Sequence, residues 1–233
     1  MPVNENKPPG GTGNKGNEMK NLLLLGDSIR MGYDSFVQEK LEGRMNVYFP
    51  EENGRFAQYT LRALSDWKAN LDLPEIHVVH WNNGLWDTLH LNACYAGNDG
   101  EAEGRTISPE NVPNDCRFDE DPLTPPEMYR YMLGRVLTRI RQLFPGAEVV
   151  FATSTPVIEG QSSWGYRSNA EIESYNRIAR EVLVPRGVRV NELGEFAAAQ
   201  CGSLHRDWVH YNDEGCSLLA DEIIRFLEKE NLL

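Results

Sequence analysis

Short apolar segments alternate with longer amphipathic segments along most of this sequence, and this alternation limits the folds that the chain can adopt. Five apolar segments have the length of buried strands, and they lie at 21–25, 45–49, 76–81, 148–152 and 188–190. Helical segments lie at 32–43, 56–71, 124–143, 169–184 and 213–230. A repeated βα pattern with apolar strands favours one parallel sheet with helices on both faces. We therefore expect an α/β protein, built as a three-layer α/β/α sandwich with about five parallel strands.

Charge and hydropathy exclude several classes of function. The chain of 233 residues carries 23 basic and 35 acidic residues, so its formal net charge is −12. Such a charge repels nucleic-acid backbones and anionic lipid, and no apolar run approaches the ~20 residues of a membrane span. We expect no nucleic-acid partner and no membrane partner. The N-terminal residues do not form a basic-then-apolar signal, which favours a cytoplasmic protein.

Two segments differ from the βα pattern. Residues 1–18 are polar and rich in Gly, Asn and Pro, so we expect a flexible leader or an added segment there. Residues 19–233 are then a single domain. Residues 88–123 are too long for a plain connection, and we expect a functional loop that covers part of a site.

The cysteines and histidines give no metal-binding pattern. None of them has zinc-ligand spacing, so we expect no metal site and read the four cysteines as buried or idle thiols. His77 and His80 lie three apart on the third strand and face opposite sides of the sheet, although His80 could line the floor of a site. His90 and His205 are expected at the surface or in loops.

Polar residues follow the predicted strands at the points where ligands bind in open α/β sheets. Gly26-Asp27-Ser28 follows the first strand, Gly54 follows the second, and Asn82-Asn83-Gly84 follows the third. Asp207 and His210 lie beyond the fifth strand. Since each step between the first three turns is one βα unit, these turns should meet at the same edge of the sheet.

These residue types form a complete set for acyl transfer. Ser28 needs a general base to become a nucleophile, and His210 is the candidate. Asp207, three residues earlier, can hold the His210 ring in the correct tautomer. The Ser28 and Gly54 N–H groups and an asparagine side-chain amide are candidate donors to the tetrahedral oxyanion.

The same segments resemble the SGNH, or GDSL, hydrolase superfamily. Gly26-Asp27-Ser28 is similar to its first block, Gly54 to the glycine of its second, and Asp207-x-x-His210 to its last. The resemblance runs from about residue 20 to the end of the chain. It implies a flavodoxin-like SGNH fold, a catalytic triad of Ser28, His210 and Asp207, and no cofactor.

The third block departs from the family pattern. The family has G-x-N-D there, whereas this chain has Trp81-Asn82-Asn83-Gly84-Leu85-Trp86-Asp87. Aligning Gly84 and Asp87 with the pattern puts Trp86 in the place of the oxyanion asparagine. We therefore expect the amide just upstream, as in sugar-esterase-like branches, from Asn82 or alternatively from Asn83.

Other side chains near the predicted site have both a functional and a structural interpretation. Arg30 and Arg55 either contact an acidic substrate or form salt bridges with Asp87 and Glu52. Asp27 is expected to hold its turn through side-chain hydrogen bonds. The tryptophans that could stack on a sugar ring, or fill the core instead, are Trp86, Trp164 and Trp208.

The expected function is hydrolysis of a small ester, with acetyl removal from a sugar or oligosaccharide as the preferred reaction. This substrate class follows from the family resemblance and the tryptophans. Two alternatives stay open. One is a lipase, lysophospholipase or thioesterase of the same superfamily, which a large apolar acyl groove would favour. The other is a non-catalytic carbohydrate-binding relative, which would have a broken triad.

Overall fold

One parallel sheet organises the chain, and the computed structural model describes it over residues 19–91, 118–159 and 165–233. In chain order the strands are β1 (Asn21–Leu25), β2 (Asn46–Tyr48), β3 (Val78–Trp81), β4 (His90–Leu91), β5 (Glu148–Ala152), β6 (Gly165–Tyr166) and β7 (Arg189–Asn191). Five of them form the parallel sheet, in the order β2-β1-β3-β5-β7. The other two, β4 and β6, pair antiparallel as a separate ribbon.

Helices connect the strands of the sheet. They are α1 (Ser28–Lys40), α2 (Ala57–Asn70), α3 (Pro126–Leu143), α4 (Asn169–Leu183), α5 (Leu193–Gln200) and α6 (Asp213–Lys229), with a 3-10 turn at Val184–Arg186. Because successive side chains of a strand point to opposite faces, a fully apolar strand needs helices on both sides. Strand β1 has this character, since all five of its residues are buried.

The two faces of β1 lead into two separate hydrophobic cores. Leu22 and Leu24 pack with apolar residues of α1, α5 and α6. Leu23 and Leu25 pack with apolar residues of α2, α3 and α4. The predicted three-layer α/β/α sandwich is therefore confirmed.

The strand order fixes the place where polar side chains converge. The order is flavodoxin-like, as expected, and the direction of strand addition reverses at β1. The carboxyl ends of β1 and β3 lie side by side, with Leu25 paired to Trp81. The Asn82 N–H then donates to the Leu25 carbonyl over 3.1 Å, so the turns that follow these two strands begin in contact.

Some elements differ from the sequence-based prediction. Helix α1 begins at Ser28, not near residue 32, because Asp27 caps it; a glycine at 32 obscured its first turn in the sequence. Helix α5 and the ribbon of β4 and β6 were not predicted. Each ribbon strand has only two residues, which is too short for a periodicity to be read.

Several sequence-based expectations concern residues that lie wholly or partly outside the described ranges. The segment 1–18, residues 92–117 of the long loop, Cys94, Cys116 and Trp164 all lie outside the described ranges. The other two cysteines, Cys201 and Cys216, are buried free thiols, as expected for them. Among the helices described, none is both long enough and apolar enough to cross a membrane.

Candidate active site

The N-terminus of α1 carries the predicted nucleophile. Asp27 is the N-cap, and its Oδ1 accepts a hydrogen bond from the Ile29 N–H over 3.0 Å. Ser28 is therefore not the cap; it is the first helical residue, and its side chain is partly exposed. The N–H groups of a first helical turn have no carbonyl acceptor within the helix, so the Ser28 N–H can donate to a ligand.

Ser28, His210 and Asp207 form a continuous chain of hydrogen-bonded side chains. The Ser28 Oγ lies 2.8 Å from His210 Nε2, although 182 residues separate them in sequence. On the other side of the ring, His210 Nδ1 lies 2.8 Å from Asp207 Oδ2. These are the contacts that the sequence predicted, with the serine and the carboxylate on opposite ring nitrogens.

The local turn keeps Asp207 ionised. Its Oδ1 accepts the Val209 N–H over 2.8 Å and the His210 N–H over 2.7 Å. Partial burial acts to raise the pKa of Asp207, but these hydrogen bonds and the one from the His210 ring outweigh it, so the pKa lies below the ordinary 3.8. A carboxylate at this place favours the tautomer that leaves Nε2 free to accept the serine proton.

The two candidate asparagines have different surroundings. Asn83 is fully buried, and its Nδ2 donates to the Arg55 carbonyl over 2.9 Å and to Thr60 Oγ1 over 3.0 Å. Its Oδ1 accepts the Trp81 Nε1–H over 2.6 Å. Both amide hydrogens of Asn83 therefore serve internal contacts.

Asn82 uses one of its two side-chain amide hydrogens in a contact among the described residues. Its Nδ2 donates one bond, to Asp27 Oδ1 over 3.1 Å, and an amide nitrogen carries two hydrogens. The side chain lies tightly under the turn after β1, since a Cβ at Gly26 would be 1.6 Å from Asn82 Oδ1. The geometry thus favours Asn82 over Asn83 as the side-chain donor.

Gly54 serves a different purpose from the one predicted. Its N–H donates to the Gly26 carbonyl over 2.8 Å, so this group, which we expected to face the oxyanion, is used within the protein. A Cβ at 54 would lie 2.5 Å from the same carbonyl oxygen. The glycine is required because two turns of the site meet there backbone to backbone.

Arg30 is a structural residue and not a substrate contact. Its side chain is fully buried; Nη1 pairs with Asp34 Oδ2 at 2.7 Å, and Nη2 donates to the Glu52 carbonyl over 2.7 Å. The salt-bridge interpretation is thus correct for Arg30, but its partners are Asp34 and a backbone carbonyl in place of Asp87 and the Glu52 carboxylate. These contacts tie α1, the helix that carries Ser28, to the segment that leads to Gly54.

Arg55 remains a candidate for substrate contact. The residue is exposed, and its guanidinium lies 4.7 Å from the centroid of the Tyr59 ring. Its predicted partner Glu52 instead accepts the Trp67 Nε1–H over 2.8 Å and a short hydrogen bond from the Tyr59 hydroxyl.

Of the three tryptophans predicted to contact a sugar ring, the structure describes two. Trp86 and Trp208 are half-buried, and Trp208 packs against the core beneath α1 and α6. Trp164 lies outside the described residues. Trp81 is a core residue with no exposed surface, in edge-to-face contact with Phe151 at 5.0 Å.

Asp87 and Arg167 are buried ionisable residues: Asp87 was expected to pair with an arginine, and Arg167 was not among the residues predicted for the site. Asp87 Oδ1 accepts the N–H of Ala57, the first residue of α2, over 3.1 Å. It caps that helix from a distance, because the N-cap residue Phe56 has no polar side chain. Arg167 follows β6, and its Nε–H donates to the Leu85 carbonyl in the turn after β3. Nothing in the sequence around Arg167 indicates this placement.

Two histidines are also more deeply placed than expected. His80 is fully buried between β1 and β5, and burial lowers its pKa to about 3, so it is a neutral core residue and does not line the site. His90 was expected at the surface or in a loop, but it is a buried residue of β4, with Nε2 at 2.8 Å from Glu171 Oε2 and Nδ1 at 2.8 Å from the Asp119 carbonyl oxygen. In the part of the chain described, His, Cys, Asp and Glu side chains form no group of three or more that could hold a metal ion.

Solved structures share this architecture. The lipase/acylhydrolase from Enterococcus faecalis is 17% identical, with a TM-score of 0.61 over 91% of this chain and 97% of that one. A GDSL-like lipase from Bacteroides thetaiotaomicron is 13% identical, with a TM-score of 0.59 over 91% and 89%. A family 3 carbohydrate esterase from Clostridium thermocellum is 14% identical, with a TM-score of 0.56 over 91% and 96%. No protein-family model and no curated protein matches the sequence.

The fold places the protein among three-layer α/β/α proteins with a flavodoxin-like sheet. More particularly, it is the fold of the SGNH, or GDSL-type, hydrolases, as the resemblance in sequence implied. At these levels of identity the similarity establishes the fold, so the chemistry is argued from the site itself.

Proposed function

We propose that the protein is a serine esterase that hydrolyses small acyl esters. The observation that carries this proposal is the 2.8 Å contact between Ser28 Oγ and His210 Nε2, continued by the 2.8 Å contact between His210 Nδ1 and Asp207 Oδ2. A serine at a helix N-terminus has no structural need for a histidine from a distant loop. The same arrangement supplies what an inert hydroxyl lacks, a base that is itself oriented.

The first half of the reaction forms an acyl-enzyme. The Ser28 Oγ attacks the ester carbonyl carbon while its proton moves to His210 Nε2. The tetrahedral intermediate then collapses, the bond from carbon to the leaving oxygen breaks, and His210 gives its proton to the departing alcohol. Asp207 stays ionised throughout and stabilises the positive charge on the His210 ring.

The second half repeats these steps with water. His210 Nε2 takes a proton from a water molecule, whose oxygen attacks the acyl-enzyme carbonyl. Collapse of the second intermediate breaks the bond to Ser28 Oγ, which regains a proton from His210. The products are a carboxylic acid and a free enzyme, and no cofactor takes part.

Two donors are suited to the oxyanion. The Ser28 N–H lies in the first turn of α1, where the helix dipole also favours negative charge. The second hydrogen of Asn82 Nδ2 is the side-chain donor that we propose. Both groups belong to turns held together by the contact between Asn82 and Asp27, so they are positioned before the substrate arrives.

We propose an acetylated sugar or oligosaccharide as the substrate class. The half-buried Trp86 and Trp208 provide aromatic surface of the kind that stacks on sugar rings. The fold is also that of a carbohydrate esterase from Clostridium thermocellum, although lipases share it as well. Acyl length separates this proposal from a lipase or thioesterase of the same fold.

Activity assays with matched serine variants test the proposal. Acetate release would be measured from p-nitrophenyl acetate and from acetylated xylo-oligosaccharides, for wild type, Ser28→Ala and Ser35→Ala. Ser35 is an exposed serine on the same helix, so its replacement controls for the loss of a hydroxyl. We expect Ser28→Ala to lower kcat by about 10³-fold or more and Ser35→Ala to have no effect.

The outcomes separate the candidate functions. Equal, measurable activity of Ser28→Ala and wild type would refute the serine mechanism, and absence of activity in the folded wild type would favour the non-catalytic carbohydrate-binding relative. The predicted loss of kcat in Ser28→Ala, together with a preference of wild type for long-chain p-nitrophenyl esters over acetyl esters, would support the serine mechanism. It would replace the proposed substrate class with that of a lipase or thioesterase.

A further inference from the structure

The guanidinium group of Arg167 joins two turns of the candidate active site. Its Nε–H donates to the carbonyl oxygen of Leu85, three residues after Asn82. The central carbon of the group lies over the Trp208 ring, 4.9 Å from the ring centroid. Trp208 directly follows Asp207, so one side chain reaches both the turn after β3 and the turn that carries the acid and the base.

This guanidinium is unusually buried for an arginine. Only 2% of the residue is exposed, and burial lowers its pKa to about 10, so it still carries its charge at neutral pH. A desolvated guanidinium is strongly attracted to the face of a tryptophan ring. The contact with Trp208 therefore restrains the turn more firmly than an exposed arginine would.

The charge of Arg167 also acts on the oxyanion side of the site. Burial raises the pKa of Asp27 above its ordinary value, and the hydrogen bonds from Asn82 and Ile29 and the positive charge of Arg167 oppose this rise. Asp27 Oδ1 accepts both of those hydrogen bonds, so the nitrogen end of the Asn82 amide faces it. The positive charge of Arg167 favours an accepting oxygen at Asp27 and so supports this orientation of Asn82.

We propose that Arg167 is a positioning residue for the esterase reaction: its guanidinium holds the turn of Asn82 and the turn of Asp207 and His210 in their productive arrangement. The inference rests on the proposed function and adds a residue that lies outside the triad and the oxyanion donors. Arg167 does not need to touch the substrate in this role. Small displacements of catalytic groups are sufficient to lower a rate by about 100-fold, which sets the size of effect expected.

Kinetics of arginine variants test the role. Arg167→Gln and Arg167→Lys would be compared with wild type in kcat and KM for p-nitrophenyl acetate. Arg135 supplies a matched control, because its guanidinium also lies over an aromatic ring, that of Tyr131, but on the exposed side of α3. We expect Arg167→Gln to lower kcat by about 10- to 100-fold with little change in KM, Arg167→Lys to recover part of the loss, and Arg135→Gln to remain within about twofold of wild type.

Chemical rescue separates positioning from a general loss of folding. In Arg167→Ala, added guanidinium ion at millimolar concentration should restore part of kcat, whereas equal sodium chloride should not, and wild type should not respond. Thermal unfolding of each variant identifies any that fails to fold; if Arg167→Gln does, Arg167→Lys and the rescue experiment carry the test.

Each result has one meaning. A kcat for Arg167→Gln within about threefold of wild type, or a loss equal to that of Arg135→Gln, would overturn the positioning role while leaving the esterase proposal intact. A lack of rescue in a folded Arg167→Ala would also count against it. Full activity in Ser28→Ala would overturn the proposed function itself, and with it this inference.

Discussion

The side chains of Asn82 and Asp27 are joined by a hydrogen bond of 3.1 Å between Nδ2 and Oδ1, across the carboxyl ends of β3 and β1. The same Asp27 oxygen accepts the Ile29 N–H and so starts the helix that carries Ser28. The Asp27 side chain therefore positions both Ser28, the proposed nucleophile, and Asn82, the proposed side-chain donor to the oxyanion.

The asparagine assignment leads to different effects on catalysis for two neighbouring substitutions. Asn82→Ala should lower kcat by about 10²- to 10³-fold, because it removes a donor to the transition state, and it should also cost some stability, because the buried Asp27 loses a hydrogen bond. Asn83→Ala should lower the free energy of unfolding by about 1–3 kcal/mol, because it leaves the Trp81 indole N–H without its acceptor, and its effect on kcat should be smaller. Steady-state kinetics and urea unfolding of both variants measure this, and a larger kcat loss in Asn83→Ala would reverse the assignment.

The raised pKa of the buried Asp87 predicts that the stability of the protein depends on pH. Burial raises its pKa to about 7, so the folded protein holds a proton that the unfolded chain releases above about pH 4. Stability should therefore fall as the pH rises through this window and level off above about pH 7. Between about pH 5 and pH 8 the loss from this group should be roughly 2–3 kcal/mol.

A variant without the titrating carboxyl isolates that contribution. Asp87→Asn keeps an acceptor for the Ala57 N–H but cannot ionise, so its free energy of unfolding should change less with pH than that of wild type. Asp72→Asn, at an exposed turn, serves as the control and should follow wild type. Parallel pH profiles for wild type and Asp87→Asn would show that the carboxyl of Asp87 does not titrate in this way.

The close contact between Gly54 and Gly26 predicts that a larger side chain at position 54 destabilises the protein. In Gly54→Ala the new Cβ would lie 2.5 Å from the Gly26 carbonyl oxygen, so the two turns must separate. We expect a loss of about 1–3 kcal/mol in stability together with a lower kcat. Gly134→Ala on α3 meets nothing within 4 Å and should stabilise the protein by about 0.5–1 kcal/mol. Denaturant unfolding of the pair tests this, and equal stabilities would contradict the close approach.

The sheet and the contacts among Ser28, His210 and Asp207 could be predicted from sequence because each depends on local signals. Apolar runs as short as Leu22 to Leu25 indicate buried strands, and parallel strands bring their carboxyl ends to one edge. Ser28 and the pair of Asp207 and His210 lie close behind such strand ends or on a single turn. Their convergence follows from the sheet topology together with the turn that follows α5.

Other parts of the site depend on contacts that sequence order does not reveal. Asn82 and Asn83 are adjacent and chemically identical, and only their different partners distinguish them. The Gly54 N–H was assigned to the substrate because its bond to Gly26 cannot be seen in sequence. Arg167 follows a two-residue strand and reaches the site through tertiary packing, so it gives no local signal.

Covalent labelling of the nucleophile tests the central claim most directly. The protein would be incubated with a small organophosphonate that reacts with activated serines, and the adduct would be mapped by peptide mass spectrometry for wild type, Ser28→Ala and His210→Ala. We predict one adduct per chain, on Ser28, absent in Ser28→Ala and formed far more slowly in His210→Ala. Absence of an adduct in the folded wild-type protein, or an adduct on a different residue, would contradict the account.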